Sequence, residues 1–260
     1  MTNKPRNQVA ICIPSGRHWE ADMAIRMSAI ASRATANGTP TLTINEKNSI
    51  IAMARNSIAQ KAVDSGATHV FWCDADNVPP VDSIKRLLDH DVDIVGGIYC
   101  KRVPPYELLG VPFEPIDFDK PGLVPFWLMP GGCMMIKTKV YRTLPKPWYF
   151  DSIRREGSPM EAFIHLLEDH YHLPLPKDIA ASFLTYTKLN QWLDEEEQEN
   201  KTKFCNGQHM GEDYNLCLKA QRYGFKVWCD LEFSLELGHI GEQTVYFGKP
   251  EKPKETLETD

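Results

Sequence analysis

Thr68-His69-Val70-Phe71-Trp72-Cys73-Asp74-Ala75-Asp76-Asn77-Val78-Pro79-Pro80 is the stretch on which the reading of this chain turns. Residues 68–73 are dominated by bulky apolar side chains, the composition of a strand buried in a sheet. The run breaks at once into two carboxylates and a proline pair, and proline cannot continue a hydrogen-bonded ladder. A polar loop therefore sits at the carboxyl end of a buried strand.

The flanks repeat that pattern. Upstream, Val9, Ala10, Ile11, Cys12 and Ile13 read as a short buried strand stopped by Pro14-Ser15-Gly16, and Met23, Ile25, Met27 and Ile30 mark a helix behind it. A second strand over residues 39–44 precedes a helix that begins near Ser49, with Ile50, Ile51, Ala54, Ile58 and Ala62 at helical spacing and Gly66 as its stop. Downstream come a helix over 81–90, a strand over 92–95 closed by Gly96-Gly97, and a proline-rich loop over 103–125. Residues 126–137 read as two strand segments bent around Gly131-Gly132, with a short helix over 138–144 behind them.

Regularity lapses from 146 to 207, an irregular insertion in which 160–170 reads as helix and 193–200 as a solvated acidic segment. It returns with a helix over 212–223 stopped by Gly224, then strands over 225–229 and 232–237, then Gly238-His239-Ile240-Gly241. Strands alternating with helices predict one α/β domain over 1–248. Its sheet is mostly parallel and twisted, with helices on both faces and ligands beyond the strand carboxyl ends. Residues 249–260 read as a loose charged tail.

Composition agrees with a packed domain: 260 residues, 42% hydrophobic and 25% charged. A net charge of -6 lacks the basic footprint of nucleic-acid binders. No apolar run is long enough to span a bilayer, and the opening residues lead into a strand rather than a signal-peptide core, so a cytoplasmic location is expected. The seven cysteines are odd in number and widely spaced, without metal-knuckle pairing, and are read as reduced thiols.

Three constellations carry chemistry. Asp74 and Asp76, one residue apart at a strand end, suit a hard divalent cation and the phosphates it bridges, though acidic pairs also serve turns and helix caps. His239, between glycines after a late strand, reads either as a structural histidine or as the nitrogen that completes such a site. Glu212-Asp213 opens a helix after Gly211, where the dipole favours ionised carboxylates; a carboxylate held near an acceptor hydroxyl also suits a general base.

Pro14-Ser15-Gly16, Ala54-Arg55-Asn56, the residues 70–77 around Asp-Ala-Asp, Gly131-Gly132-Cys133-Met134-Met135-Ile136, Gly211-Glu212-Asp213-Tyr214 and Gly238-His239-Ile240-Gly241, in that order, resemble a GT-A glycosyltransferase, nucleotide-sugar-dependent and family-2-like. The resemblance implies a Rossmann-like GT-A fold and transfer of a sugar from a nucleotide diphosphate donor, UDP-linked by preference, to an acceptor hydroxyl with inversion. It implies Mn2+ or Mg2+ as cofactor, with Asp74, Asp76 and His239 at the metal. Pro14, Ser15 and Gly16 would border the nucleoside, Arg55 would reach the diphosphate, and Asp74, Ala75 and Asp76 would meet ribose and metal. Gly131, Gly132 and Trp127 would line the sugar and acceptor, although Trp127 also reads as core. Asp213 would be the base, with Glu212 beside it. Glycans, lipid-linked sugars, small molecules, proteins and a hydroxylated DNA base, the last in viruses that decorate their DNA, are all compatible acceptors. A nucleotidyltransferase and a non-catalytic nucleotide-sugar or carbohydrate-binding module are the competing readings.

Overall fold

The computed structural model describes residues 7–15, 19–120, 122–153, 209–241 and 244–246. Gly16, Cys205, the segments 160–170 and 193–200, the larger part of the 146–207 insertion and the tail 249–260 lie outside them.

The strands are β1 (Val9–Ser15), β2 (Thr41–Lys47), β3 (His69–Cys73), β4 (Asn77–Val78), β5 (Ile94–Gly96), β6 (Val111–Pro112), β7 (Leu123–Leu128), β8 (Cys133–Lys137), β9 (Ser152–Ile153), β10 (His209–Met210), β11 (Val227–Asp230), β12 (Gly238–Ile240) and β13 (Thr244–Tyr246). The helices are α1 (Ala21–Ala36), α2 (Ile51–Asp64), α3 (Ser83–Asp89), α4 (Thr138–Thr143), α5 (Glu212–Arg222) and α6 (Leu231–Leu235). An eight-stranded sheet runs in the order β2-β1-β3-β8-β5-β11-β7-β6. β1 pairs in parallel with β2 and β3, and β5 with β11, while β8 and β7 run against their neighbours. The expected α/β architecture, mostly parallel with helices on both faces, is present.

Alternation along the central strands builds the two layers. Val9, Ile11 and Ile13 of β1 face one side with Met23, Met27 and Ile30 of α1 and Ile84 and Leu87 of α3. Ala10 and Cys12 face the other with Ile58, Ala59 and Ala62 of α2, Tyr141 of α4 and Leu216 of α5. The period of two in a strand sends neighbours to opposite faces, so one apolar run feeds both cores.

Two local readings change. Residues 231–235 form α6 rather than part of a strand, because the Asp230 carboxylate accepts a hydrogen bond from Phe233 N at 2.8 Å and caps a helical turn. The polar loop after β3 contains β4, which joins β12 and β13 in a separate three-stranded sheet with His239 opposite Asn77. That small sheet carries the histidine to the aspartate loop. No helix among the described residues is long and apolar enough to cross a membrane.

Candidate active site

The loop after β3 is held by main-chain bonds. Asp74 N donates to Gly132 O at 2.9 Å, Asn77 N to Asp74 O at 3.1 Å, and Ile240 N to Asp76 O at 2.8 Å. Ala75 contributes its carbonyl, which accepts from Glu20 N at 3.4 Å. Both aspartates therefore leave a rigid strand end rather than a wandering loop.

Arg55 rises from α2 beneath them with 2% of its side chain exposed. Its Nε donates to Glu212 Oε1 at 2.8 Å, and its Nη2 reaches Asp74 Oδ1 at 2.8 Å and Oδ2 at 3.1 Å. Nη1 points to the Gly131 carbonyl at 3.4 Å. The guanidinium also lies over the Trp72 ring, 5.1 Å from its centroid. Burial opposes its charge, and Asp74 and Glu212 more than offset that. Arg55 thus spends its donors on protein, as a strut that joins α2, the aspartate loop and the start of α5.

The glycine pair is required by close approach. A Cβ at Gly132 would lie 2.2 Å from Tyr99 Oη, 2.3 Å from Asn77 Oδ1 and 3.0 Å from Asp74 Oδ2. One at Gly131 would meet Asp213 Cβ at 2.9 Å. Gly131 N donates to Asp213 Oδ2 at 2.8 Å, while Asp213 Oδ1 accepts from Tyr214 N at 2.8 Å. Burial, then the charge of neighbouring Glu212, raises the Asp213 carboxyl to about 6 against the pull of Arg55 and the two amides. Burial also raises Asp74, helped by Asp76 and Glu212 and opposed by Arg55.

On the other side of the loop, His239 Nδ1 lies 2.7 Å from the Cys100 carbonyl. A carbonyl only accepts, so Nδ1 carries the proton, and Nε2 faces Asp76 Oδ2 at 3.7 Å. Burial works against the Asp76 charge, but the histidine and the Arg102 guanidinium, 2.6 Å from Oδ2, hold its carboxyl below the usual range. The Tyr99 ring meets the imidazole edge to face at 4.7 Å between centroids.

No known protein family and no curated protein matches the chain. Among solved structures it is similar to the crystal structure of A197 from STIV, at 13% identity and a TM-score of 0.41 over 55% of this chain and 71% of that one. It is also similar to a glycosyltransferase involved in the glycosylation of the major capsid of PBCV-1, at 12% identity and a TM-score of 0.29 over 65% of this chain and 78% of that one.

Asp74, Asp76, Arg55, Gly131, Gly132, Glu212, Asp213 and His239 are thus joined through direct contacts around one strand end. Pro14 and Ser15 end β1, the neighbour of β3; Ser15 Oγ accepts from Asn45 Nδ2 at 2.8 Å. Trp127 packs in the core, the second of the two roles open to it. No group of three or more His, Cys, Asp and Glu side chains among the described residues is arranged to hold a metal. The three residues expected at the metal are not drawn into such a group here, since Asp74 gives both oxygens to Arg55. The donor pair that fits a divalent cation is Asp76 with His239, whose second nitrogen is oriented by a carbonyl as metal-binding imidazoles usually are.

Three site residues were not singled out from sequence. Asn77 is fully buried beside Gly132, and its side-chain amide has no partner among the described residues. Tyr99 Oη accepts from Gly132 N at 3.1 Å. Arg102 directly precedes the proline-rich 103–125 loop, in the turn closed by Lys101 N donating to Glu107 O. Asn77 offered one signal, its place directly after Asp-x-Asp; Tyr99 and Arg102 offered none.

Proposed function

We propose that this protein is a glycosyltransferase, moving a sugar from a nucleotide diphosphate donor, UDP-linked by preference, to an acceptor hydroxyl with inversion. The observation that carries this reading is the convergence, from four separate segments, of Asp76 with His239 and of Asp74 with Arg55, Glu212 and Asp213. In this reading Pro14 and Ser15 border the nucleoside, and Gly131 and Gly132 stand beside the donor sugar, their missing side chains leaving room for Asp213, Tyr99 and Asn77.

Asp76 and His239 hold a divalent cation, Mn2+ or Mg2+. Such an ion neutralises charge on a departing diphosphate, an effect worth several kcal/mol. Asp213 takes the proton of the acceptor hydroxyl as the new bond forms; its carboxyl, raised to about 6, is ionised at neutral pH and still basic enough for the work. Arg55 acts as a positioning residue that keeps Asp74, Glu212 and the Gly131 carbonyl in register.

The test is a screen of nucleotide sugars for Mn2+-dependent release of the nucleoside diphosphate, repeated with Asp76→Ala and Asp213→Asn. Both variants lose turnover on this reading. Full metal-free activity of Asp76→Ala removes the cation from the mechanism, and full transfer by Asp213→Asn places the base elsewhere.

A further inference from the structure

Asp76 Oδ2 is contacted from two sides, by His239 Nε2 at 3.7 Å and by Arg102 Nη1 at 2.6 Å. With Nδ1 donating to the Cys100 carbonyl, the imidazole edge that bears Nε2 is turned toward the same carboxylate oxygen. The Asp76 carboxylate calls for a cation beside it, and Arg102 supplies one.

Its placement follows from the local fold. Arg102 stands two residues beyond the Cys100 carbonyl that orients His239, at the base of a turn closed by Lys101 N donating to Glu107 O at 2.9 Å. A Cβ on Gly241, directly after β12, would meet the Arg102 carbonyl at 2.7 Å and its Cβ at 3.2 Å, so the glycine lets this backbone press against the histidine strand. The backbone is seated, but the side chain is not: Arg102 is 56% exposed, against 2% for Arg55 on the neighbouring aspartate. One arginine is a buried strut, and the other is a long flexible side chain at the mouth of the site.

We propose that Arg102 is the resident counter-cation of Asp76, displaced when a divalent ion arrives and then turned to the diphosphate of the donor. This rests on the cation reading above and adds to it a positioning residue with two alternating partners. A guanidinium suits both, because its fork matches carboxylate and phosphate oxygens alike. The exchange also accounts for two neighbouring aspartates that each carry an arginine: the buried pair is permanent, and the exposed pair is exchangeable.

The experiment titrates Mn2+ alone into the full chain by calorimetry, for the parent, Arg102→Gln and Arg102→Lys, and then titrates UDP into each at saturating Mn2+. Removing an exposed competitor ion pair tightens Mn2+ binding by about two- to fivefold. UDP binding weakens by at least about fivefold in Arg102→Gln, as expected for loss of a charge-assisted contact, with Arg102→Lys between the two for both ligands. Opposite signs for metal and nucleotide are something a purely structural arginine would not produce. Mn2+ binding no tighter in Arg102→Gln than in the parent overturns the counter-cation role, and unchanged UDP affinity overturns the second partner. Absence of Mn2+ binding to parent and variants alike sinks the cation site itself, and this inference with it.

Discussion

Arg55→Met removes the one buried cation between Asp74 and Glu212 and keeps most of the side chain's length. The methionine fills the space over Trp72 but leaves Glu212, with 10% of its side chain exposed, and Asp74, with 26%, without their shared guanidinium. Breaking a buried ion pair from one side costs about 3–5 kcal/mol, because the remaining charges stay desolvated. For a chain of this size that corresponds to a fall in Tm of roughly 6–20 °C. The cost has a pH signature. Burial already raises Asp74, and raises Asp213 to about 6, against the pull of Arg55; without it both rise further. Carboxyls whose folded pKa is raised favour the fold fully below their unfolded value near 4, and that contribution is lost as pH rises through the folded value. The gap between parent and variant therefore widens from pH 4.5 to pH 8, by up to about 1.4 kcal/mol per pH unit for each carboxyl titrating in that range. Thermal and urea unfolding across this range measure it, and adding Glu212→Gln to Arg55→Met recovers about 1–2 kcal/mol at pH 8 by removing one stranded charge. A loss below about 1 kcal/mol, or one equal at pH 5 and pH 8, refutes the strut.

Other outcomes follow from single contacts. Gly132→Ala drives a methyl into Tyr99 Oη and Asn77 Oδ1 and destabilises the fold by about 1–3 kcal/mol in chemical unfolding; an unchanged midpoint would mean the glycine is not needed for close approach. Parent kcat/KM falls as pH drops through about 6, where Asp213 takes up its proton, and Asp213→Asn lowers the rate by about 10²–10⁴ and lacks that acid limb. A limb that survives in the variant belongs to another group. Asp230→Ala removes the cap bond to Phe233 N and the partner of His90 Nε2, costing about 0.5–2 kcal/mol, while Asp230→Asn keeps most of the cap. Equal melting of parent and Asp230→Ala would show that α6 stands without its cap.

The backbone plan was legible because periodicity and punctuation are local. The apolar run 69–73, the glycine stops at Gly66 and Gly224, which adopt positive φ of 80° and 83°, and the buried stripes of α1, α2 and α5 required no knowledge of distant partners. Reading failed where one short apolar stretch supports either period. Residues 231–235 became helix because Asp230 caps them, and Asn77 and Val78 became strand because β12 supplies a ladder.

Residue types likewise marked the candidate site: an Asp-x-Asp at a strand end, a glycine pair, an acidic helix start and a late histidine between glycines. Their division of labour was not in the string. Arg55 and Arg102 look alike in sequence, yet one is buried under two carboxylates and the other lies exposed on a third. Asp74 and Asp76, written one residue apart, face different cations because the chain turns between them, with Asn77 N donating back to Asp74 O. Chain neighbours dictate where a strand stops and which side chains are available there. Which charge meets which is governed by desolvation and distance between segments more than a hundred residues apart, such as Arg55 and Glu212, and folding alone sets those.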